Sequence, residues 1–293
     1  MYEVHGIMSI DIFIKKWRQI IMIIDTHVHV GGDKLGFNMS EELVLGAMEK
    51  YEIDYMLVSN GDASEVDHEQ KLLPAECQTS QEDALERVLK FARSNLGKFG
   101  VGVWVKPLQE EVTPRLEKLI EDNLDIIYAI KLHPFHSKIS PVDERTLPFL
   151  ELANKYKLAV VSHTGTNEED HPVHVYEAAK MFPDIPFVMV HMGLGSDNAE
   201  ALDLLGKADN LYGDTAWVPM ETTIEAINRY GSKKMLFGSD TPIDGLDTYF
   251  CNPKGERSLY QDYFHVLPEK ISTEAYEELM WRNAVEVFKL KLK

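Results

Sequence analysis

Eight short apolar segments, each typical of a buried β-strand, alternate with longer helical stretches along nearly the whole chain. Most of these segments are almost uninterrupted apolar runs, which is typical of parallel strands covered on both faces. The spacing between them leaves room each time for a helix and two loops. The sequence therefore predicts an α/β fold, a closed (β/α)8 TIM barrel rather than an open doubly wound sheet. The predicted strands begin near Ile23, Ile53, Phe99, Ile126, Leu158, Ile185, Leu211 and Lys234.

The length of the chain fits one such barrel without a second domain. It has 293 residues, of which 44% are hydrophobic, and a single barrel typically needs about 250 residues. No linker rich in Pro, Gly or Ser divides the sequence. We expect a barrel over residues 23–293 and an N-terminal extension, residues 1–22, whose apolar residues recur at helical spacing. Met22 directly precedes the first predicted strand and is an alternative start of translation.

Charge and cysteine content limit the partners of the chain. Its 48 acidic and 30 basic residues give a net charge of −18, which disfavours binding to a nucleic-acid backbone. The longest apolar runs are too short to span a bilayer. Two cysteines, Cys77 and Cys251, are too few for a disulfide framework or a cysteine zinc site, and they suit a reducing compartment. We expect a cytoplasmic protein that acts on a small molecule, without nucleic acid or membrane, and a homo-oligomer is a further expectation.

Helix starts and loop lengths mark out the units of the barrel. The pairs Thr113-Pro114 and Ser140-Pro141 each place an N-cap residue before a proline that suits the first helical turn. Two connections after predicted strands, residues 60–79 and residues 241–271, are longer than usual βα loops. Because such loops surround the active face of a barrel, both are candidates for lids and for substrate selection.

Polar residues end several of the predicted strands. His27 and His29 end the first one, and side chains two positions apart in a strand point to the same side, so both imidazoles face the barrel mouth. Alone, a His-X-His triplet is a weak signal. Four further strand ends carry a polar residue that is costly to bury unless it is bonded or ligated. Together the six residues predict a metal site at one end of the barrel; the other four are Lys131, His163, His191 and Asp240.

These motifs resemble the amidohydrolase superfamily, and most of all the branch that includes aminocarboxymuconate-semialdehyde decarboxylase and related hydrolases. The resemblance runs from about Met22 to Leu290. It implies a (β/α)8 barrel with His27, His29, His163 and Asp240 as metal ligands. It also implies that His191 binds a second metal or, in one-metal members, contacts substrate and transfers protons. The matching motifs are Asp25-Thr26-His27-Val28-His29, Lys131-Leu132-His133-Pro134, His163, His191-Met192-Gly193, Gly238-Ser239-Asp240-Thr241-Pro242 and Asn283-Ala284.

Two interpretations of Lys131 remain open. In two-metal relatives the residue at this strand bridges both ions, as a glutamate or as a lysine carboxylated by CO2. Carboxylation needs a neutral amine, which burial promotes by lowering the pKa of a lysine. The other interpretation is an unmodified Lys131 that binds a substrate anion. Imidazole and carboxylate ligands suit one or two divalent transition metal ions, zinc in the first place, with manganese, iron or cobalt as alternatives.

The expected function is hydrolysis of an amide, lactone or ester of a small organic substrate by a metal-activated water. Asp240 would take the proton of that water and His191 would serve the leaving group. The alternative is a non-oxidative decarboxylase of an aromatic or muconate-type acid, which would use the same ligands. A barrel kept as a non-catalytic binding protein predicts lost ligand positions, whereas here every implied position is filled. Four residues are candidates for substrate contact: Lys106, His133, His136 and Trp217.

Overall fold

Eight parallel strands form one sheet in which each strand pairs with its neighbours in sequence. The computed structural model describes residues 21–243 and 259–292. Backbone hydrogen bonds between the segment after the eighth strand and the first strand close the barrel, from Thr26 N to Phe237 O at 2.9 Å and from His29 N to Thr241 O at 2.8 Å. The strands are β1 Ile24–Val30, β2 Tyr55–Asn60, β3 Phe99–Trp104, β4 Ile127–Leu132, β5 Ala159–His163, β6 Phe187–Val190, β7 Leu211–Asp214 and β8 Met235–Leu236.

The predicted barrel is confirmed, and every predicted strand start lies within two residues of an observed one. Helices follow the strands and cover the outside of the sheet. The α-helices are α1 Glu41–Lys50, α2 Gln81–Ser94, α3 Pro114–Glu121, α4 Pro134–Ser137, α5 Leu147–Tyr156, α6 Pro172–Met181, α7 Ala199–Leu205, α8 Met220–Tyr230, α9 Leu259–His265, α10 Thr273–Glu277 and α11 Asn283–Phe288, with a π-helical turn over Glu278–Arg282. Short 3₁₀ turns cover Asp33–Leu35, Gly61–Ala63, Ala75–Cys77, Glu168–Asp170, Ser232–Lys234 and Leu267–Glu269.

Buried apolar residues form two main clusters. The larger one fills the space between the strands and the surrounding helices. The smaller one lies inside the barrel at its amino end, where Ile24 and Tyr55 at the starts of two strands pack with Val287, Phe288 and Leu290 from the last segment of the chain. The C-terminal segment therefore closes the end of the barrel opposite to the carboxyl ends of the strands.

Of the two predicted helix starts, one is confirmed and the other is wrong. Thr113 accepts a hydrogen bond from Leu116 N, and Pro114 is the first residue of α3. The pair Ser140-Pro141 instead begins a run of turns, and the next helix starts at Leu147. In these turns Asp143 accepts a hydrogen bond from Arg145 N at 3.0 Å. A side chain that bonds the backbone two residues further on competes with helix formation, which delays the helix.

Some predictions fall partly or wholly outside the described residues. The predicted helical extension covers residues 1–22, of which residues 1–20 lie outside that range, so the division of the chain at residue 22 stays a prediction. The long connection after β8 contains α9, whereas residues 244–258 are not described. No helix within residues 21–243 and 259–292 is both long enough and apolar enough to cross a membrane.

Candidate metal centre

The six polar residues predicted from the strand ends meet at the carboxyl end of the barrel, and each is at most 6% exposed. His27 Nε2 lies 2.9 Å from His29 Nε2, and Asp240 Oδ1 lies 3.3 Å and 3.1 Å from these two nitrogens. Ligand atoms of His27, His191 and Asp240 lie within 4.8 Å of one another, so one ion could contact all three. The six residues are His27 and His29 of β1, Lys131 of β4, His163 of β5, and His191 and Asp240, which follow β6 and β8.

A second partner fixes the orientation of three of these imidazole rings. In each ring Nδ1 makes a hydrogen bond to a residue outside the six, which leaves Nε2 for contacts within the cluster or for a ligand. Metal-binding histidines characteristically use their other ring nitrogen in this way, because the bond fixes both the tautomer and the direction of the ring. The three bonds join His27 Nδ1 to Asp214 Oδ2 at 3.0 Å, His29 Nδ1 to Ser59 Oγ at 2.9 Å, and His191 Nδ1 to Ala216 O at 3.1 Å.

His163 has a ring nitrogen without a hydrogen-bond partner. Its Nδ1 is buried and bonds to no other residue in the described part of the chain, although buried polar atoms are normally paired. The ring packs edge-on against His191, with centroids 4.9 Å apart, and so belongs to the same cluster. A metal ion would supply the missing partner. The donor set, imidazole nitrogens and one carboxylate, therefore fits a divalent transition metal.

The carboxylate of Asp240 is held in its ionised form. Burial alone would raise its pKa, but a hydrogen bond from His29 and the charges of neighbouring histidines outweigh burial and keep the pKa below its usual value. Trp217 Nε1 donates a hydrogen bond to the other oxygen, Oδ2, at 2.9 Å. The two oxygens thus have different roles, since Oδ1 faces the histidines and Oδ2 is held by the indole.

The backbone around this cluster adopts a conformation that L-residues rarely take. His191, Met192, Trp217 and Asp240 all have a positive φ, between 49° and 67°. Such left-handed residues cost roughly 1–3 kcal/mol each and persist only when the surrounding structure imposes them. Here they follow β6, β7 and β8 and include two residues of the cluster, His191 and Asp240, together with Trp217, which bonds Asp240.

Asp25 joins the first strand to the segment that carries Asp240. Its carboxylate accepts hydrogen bonds from His27 N at 3.1 Å and from Ser239 N at 3.0 Å, and it also accepts from the Ser239 hydroxyl. Burial raises the pKa of Asp25 to about 7. Because Asp25 bonds residues on both sides of the closing seam, it fixes the position of Asp240 relative to His27.

Lys131 places its ammonium group inside the cluster. Nζ lies 3.1 Å from His27 Nε2 and 6.0 Å from the centre of the Trp104 ring. Burial lowers the pKa of Lys131 to about 8, and burial likewise raises the pKa of Asp214. With a pKa of about 8, Lys131 is still largely an ammonium at neutral pH, but its neutral amine, the form that carboxylation requires, becomes accessible slightly above it.

The four residues predicted to contact substrate have different surroundings. Trp217 bonds Asp240, and the ring of His133 stacks between Trp104 and His163, with centroid distances of 4.8 Å and 4.2 Å. His136 lies beside His133, and its Nδ1 donates to Val66 O at 2.8 Å. Lys106 is engaged elsewhere, because its ammonium donates to Thr79 O at 2.7 Å and to Gln78 Oε1 at 3.1 Å and pairs with Glu110 Oε1 at 3.0 Å.

Lys106 therefore braces the loops that follow β2 and β3, and its ammonium has three partners in those loops. The last residue of β3 is Trp104, whose ring lies 5.4 Å from that of His29.

Sequence reasoning did not assign Ser59 to the site. Ser59 is the last residue but one of a mostly apolar strand, but a serine hydroxyl is too common in such a place to be a signal. Asp214, the last residue of β7, orients the His27 ring and accepts from His191 N at 2.8 Å.

A family model described as Amidohydrolase matches residues 24–290 of this chain. No curated protein sequence matches it. Among solved structures, the chain is similar to a manganese-bound 5-carboxyvanillate decarboxylase variant from Novosphingobium aromaticivorans, with a TM-score of 0.69 and 11% identity over 93% of this chain and 98% of that chain.

Two further solved structures share the fold. One is a 2,6-dihydroxybenzoate decarboxylase with bound 2,6-dihydroxybenzoate, at a TM-score of 0.63 and 16% identity over 92% of this chain and 100% of the other. The second is a probable 2-pyrone-4,6-dicarboxylic acid hydrolase from Acinetobacter baumannii, at a TM-score of 0.59 and 12% identity over 92% of this chain and 99% of the other. At such identities the likeness is one of fold, and it extends to proteins described as decarboxylases and as hydrolases.

Proposed function

This chain belongs to the amidohydrolase family, and from that premise we propose that it is a metal-dependent hydrolase of a small organic substrate, such as an amide, lactone or ester. The observation that carries the proposal is the position of the Asp240 carboxylate, which lies within 3.3 Å of the Nε2 atoms of two histidines. Such a carboxylate can serve both a metal and a water molecule beside it.

His27, His29, His163 and Asp240 are the proposed metal ligands, and His191 is the proposed ligand of a second ion. The orphaned Nδ1 of His163 and the fixed Nε2 atoms of the other rings support this assignment. A divalent ion, zinc in the first place, would supply Lewis acidity and a lowered pKa for water. A related fold with bound manganese keeps manganese among the candidates, with iron and cobalt.

The chain's own groups would move the protons. Asp240 is ionised at neutral pH, so its carboxylate can accept a proton from the attacking water, while the Trp217 indole holds Oδ2 in place. Burial lowers the pKa of His191 to about 4, so its Nε2 carries a lone pair at neutral pH. In a one-metal site that lone pair would take a proton and deliver it to the leaving group.

A second candidate function, non-oxidative decarboxylation of an aromatic acid, is favoured by a specific observation. Trp104, His133 and His163 form a stack of flat rings beside the ligands, and such a surface suits a planar substrate. Two of the structurally similar proteins are decarboxylases of aromatic acids. Lys131, if unmodified, would then bind a carboxylate of the substrate; if carboxylated, it would bridge two ions.

Metal analysis followed by a substrate panel tests both functions. The panel contains lactones and amides, with 2-pyrone-4,6-dicarboxylate among them, and aromatic acids such as 5-carboxyvanillate and 2,6-dihydroxybenzoate. Appearance of the ring-opened or cleaved product without CO2, followed by chromatography and mass spectrometry, supports hydrolysis, whereas CO2 release supports decarboxylation. A wild-type protein that remains metal-free after incubation with each of the four metals would contradict both. We further propose that the protein acts in the cytoplasm, on small molecules and without nucleic-acid or membrane partners.

A further inference from the structure

Lys131 has an unusual shortage of partners for a buried lysine. Its side chain is 2% exposed, and an ammonium group has three N–H donors. Among the described residues its one hydrogen bond joins Nζ to His27 Nε2 at 3.1 Å. By contrast, Lys106 is equally buried, and its ammonium has three oxygen partners. The Lys131 ammonium therefore depends on a single nitrogen lone pair.

His27 Nε2 also lies 2.9 Å from His29 Nε2, but His29 Nε2 donates to Asp240 Oδ1 at 3.1 Å. The lone pair of His27 Nε2 is therefore left for Lys131. That lone pair is also the one that a metal ion would need. His27 Nδ1 bonds the carboxylate of Asp214, so Nδ1 carries the ring proton and Nε2 has the remaining lone pair. One lone pair cannot accept an N–H from Lys131 and bind a metal at the same time. In addition, a positive ammonium at this position repels a divalent cation.

Lys131 has room to withdraw from His27. A cavity of about 20 Å3 lies inside the barrel next to its side chain, bounded by the small residues Gly102 and Ala129. Its other walls are mostly apolar and include Leu57 and Val161. A cavity of this size takes about one water-sized group, so one methylene of the lysine stem can shift into it and turn the ammonium away from the ring.

We propose that Lys131 is an internal competitor for the metal site: its ammonium occupies the lone pair of His27 Nε2 until a divalent ion displaces it. This inference rests on the proposed metal function. The measured metal affinity is then lower than the intrinsic affinity of the site, in proportion to the fraction of molecules in which His27 Nε2 is free. Removing the competitor must therefore tighten metal binding, which is the opposite of what removing a ligand would do.

The deciding experiment measures the dissociation constant for Zn2+ by chelator competition, in the wild type and in Lys131→Met. Methionine keeps the length and apolar character of the side chain but cannot donate a hydrogen bond. We expect binding to be about ten-fold tighter in Lys131→Met or more, because a hydrogen bond from a charged group is lost only in the competing state. The melting temperature should rise more on adding Zn2+ in Lys131→Met than in the wild type.

Lys106→Met is the matched control, because it removes a lysine of equal burial that does not contact the histidines. Its Zn2+ affinity should equal that of the wild type.

A second variant, Gly102→Ala, fills the cavity. Its new Cβ would lie 3.8 Å from the Cβ of Ser59 and 4.0 Å from that of Lys131, which are ordinary contacts. It should weaken Zn2+ binding when Lys131 is present and have no effect in the Lys131→Met background.

The outcomes separate this inference from the proposed function. If the wild type binds no metal, the proposed function itself fails. If the wild type binds Zn2+ and Lys131→Met binds it equally or more weakly, Lys131 is not a competitor, and a weaker affinity would identify it as a ligand. Should Lys131→Met fail to fold, an unchanged affinity in Gly102→Ala overturns the inference by itself.

Discussion

At the amino end of the barrel, Phe288 and Leu290 exclude water by packing on apolar side chains such as Leu236. At the carboxyl end, groups that are just as deeply buried are imidazoles, carboxylates and an ammonium. The apolar end needs no directed bonds, whereas each buried polar group needs a partner in a definite direction. Low exposure alone therefore does not distinguish the two ends of the barrel. The unpaired Nδ1 of His163 is informative because nearly all the other buried polar groups around it have partners.

The double variant His27→Ala with His29→Ala should have the largest effect on the polar end and leave the apolar end intact. It removes two proposed ligands, so bound metal and any activity should be lost while the circular dichroism spectrum stays that of a folded barrel. Metal content by mass spectrometry is the measurement. A variant that keeps a full complement of metal would show that the ion lies elsewhere.

Asp240→Asn should reduce turnover without emptying the site. The amide keeps the shape and one oxygen but cannot accept the proton of water, so we expect kcat to fall roughly 10²-fold or more, the usual scale for loss of a general base. Metal analysis and kinetics on the same preparation, with a substrate from the panel, test this. Near wild-type turnover with metal bound would rule out Asp240 as the base.

Phe288→Ala should act on the apolar end alone. Phe288 is 3% exposed in the inner cluster, and truncation of such a side chain costs about 3–5 kcal/mol of unfolding free energy. Denaturant unfolding measures this loss, and metal content should stay that of the wild type. If Phe288→Ala also lost its metal, the two ends would not be independent.

Unfolding free energy measured against pH in the wild type and in Glu65→Gln extends the comparison to a buried carboxyl group in the loop after β2. Burial raises the pKa of Glu65 to about 8 from a usual value of 4.5, so the folded protein holds this proton more tightly than the unfolded chain. The contribution to stability is present below about pH 4.5 and is lost as the pH rises through about 8. Between pH 5 and pH 8 the wild type should lose at least about 1 kcal/mol more unfolding free energy than Glu65→Gln. Parallel pH slopes for the two proteins would contradict this.

Thr113→Ala should give the smallest effect, because it removes a helix cap that belongs neither to the inner apolar cluster nor to the six-residue cluster. The Thr113 hydroxyl accepts a hydrogen bond from Leu116 N at 3.0 Å, and loss of such a cap costs about 1 kcal/mol. Thermal unfolding should show a small decrease in melting temperature, with unchanged metal content. A decrease as large as that of Phe288→Ala would mean that Thr113 does more than cap α3.

The sequence was informative where one physical constraint dominated. Apolar runs that alternated with helical stretches marked the strands, because a parallel sheet covered by helices buries such runs on both faces, and polar residues at the ends of those runs marked the cluster. Lys106, like Lys131, lies close to the end of an apolar strand, yet its ammonium bonds Thr79 O, 27 residues earlier in the chain. Position along a strand cannot distinguish a side chain that points into the mouth from one that folds back onto a loop.

Helix starts and supporting residues were harder to predict for a similar reason. Ser140-Pro141 and Thr113-Pro114 carry the same local signal, and the turn bonds of Asp143 decided between them. Ser59 matters only because His29 Nδ1 lies 2.9 Å from its hydroxyl. Such contacts depend on how two strands pair with each other, so the type of a single residue does not reveal them.

The contacts between β1 and the segment after β8 determine when the barrel can close during synthesis. Thr26 bonds Phe237, 211 residues later, and Asp25 bonds Ser239, 214 residues later. At a synthesis rate of about 5–20 residues per second, β1 waits roughly ten to forty seconds before its partner leaves the ribosome. During that interval its edge is open to other chains, and contacts so distant in sequence form slowly. His27 and His29 are therefore synthesised before the other residues of the cluster, but their site is complete only after Asp240 has been synthesised.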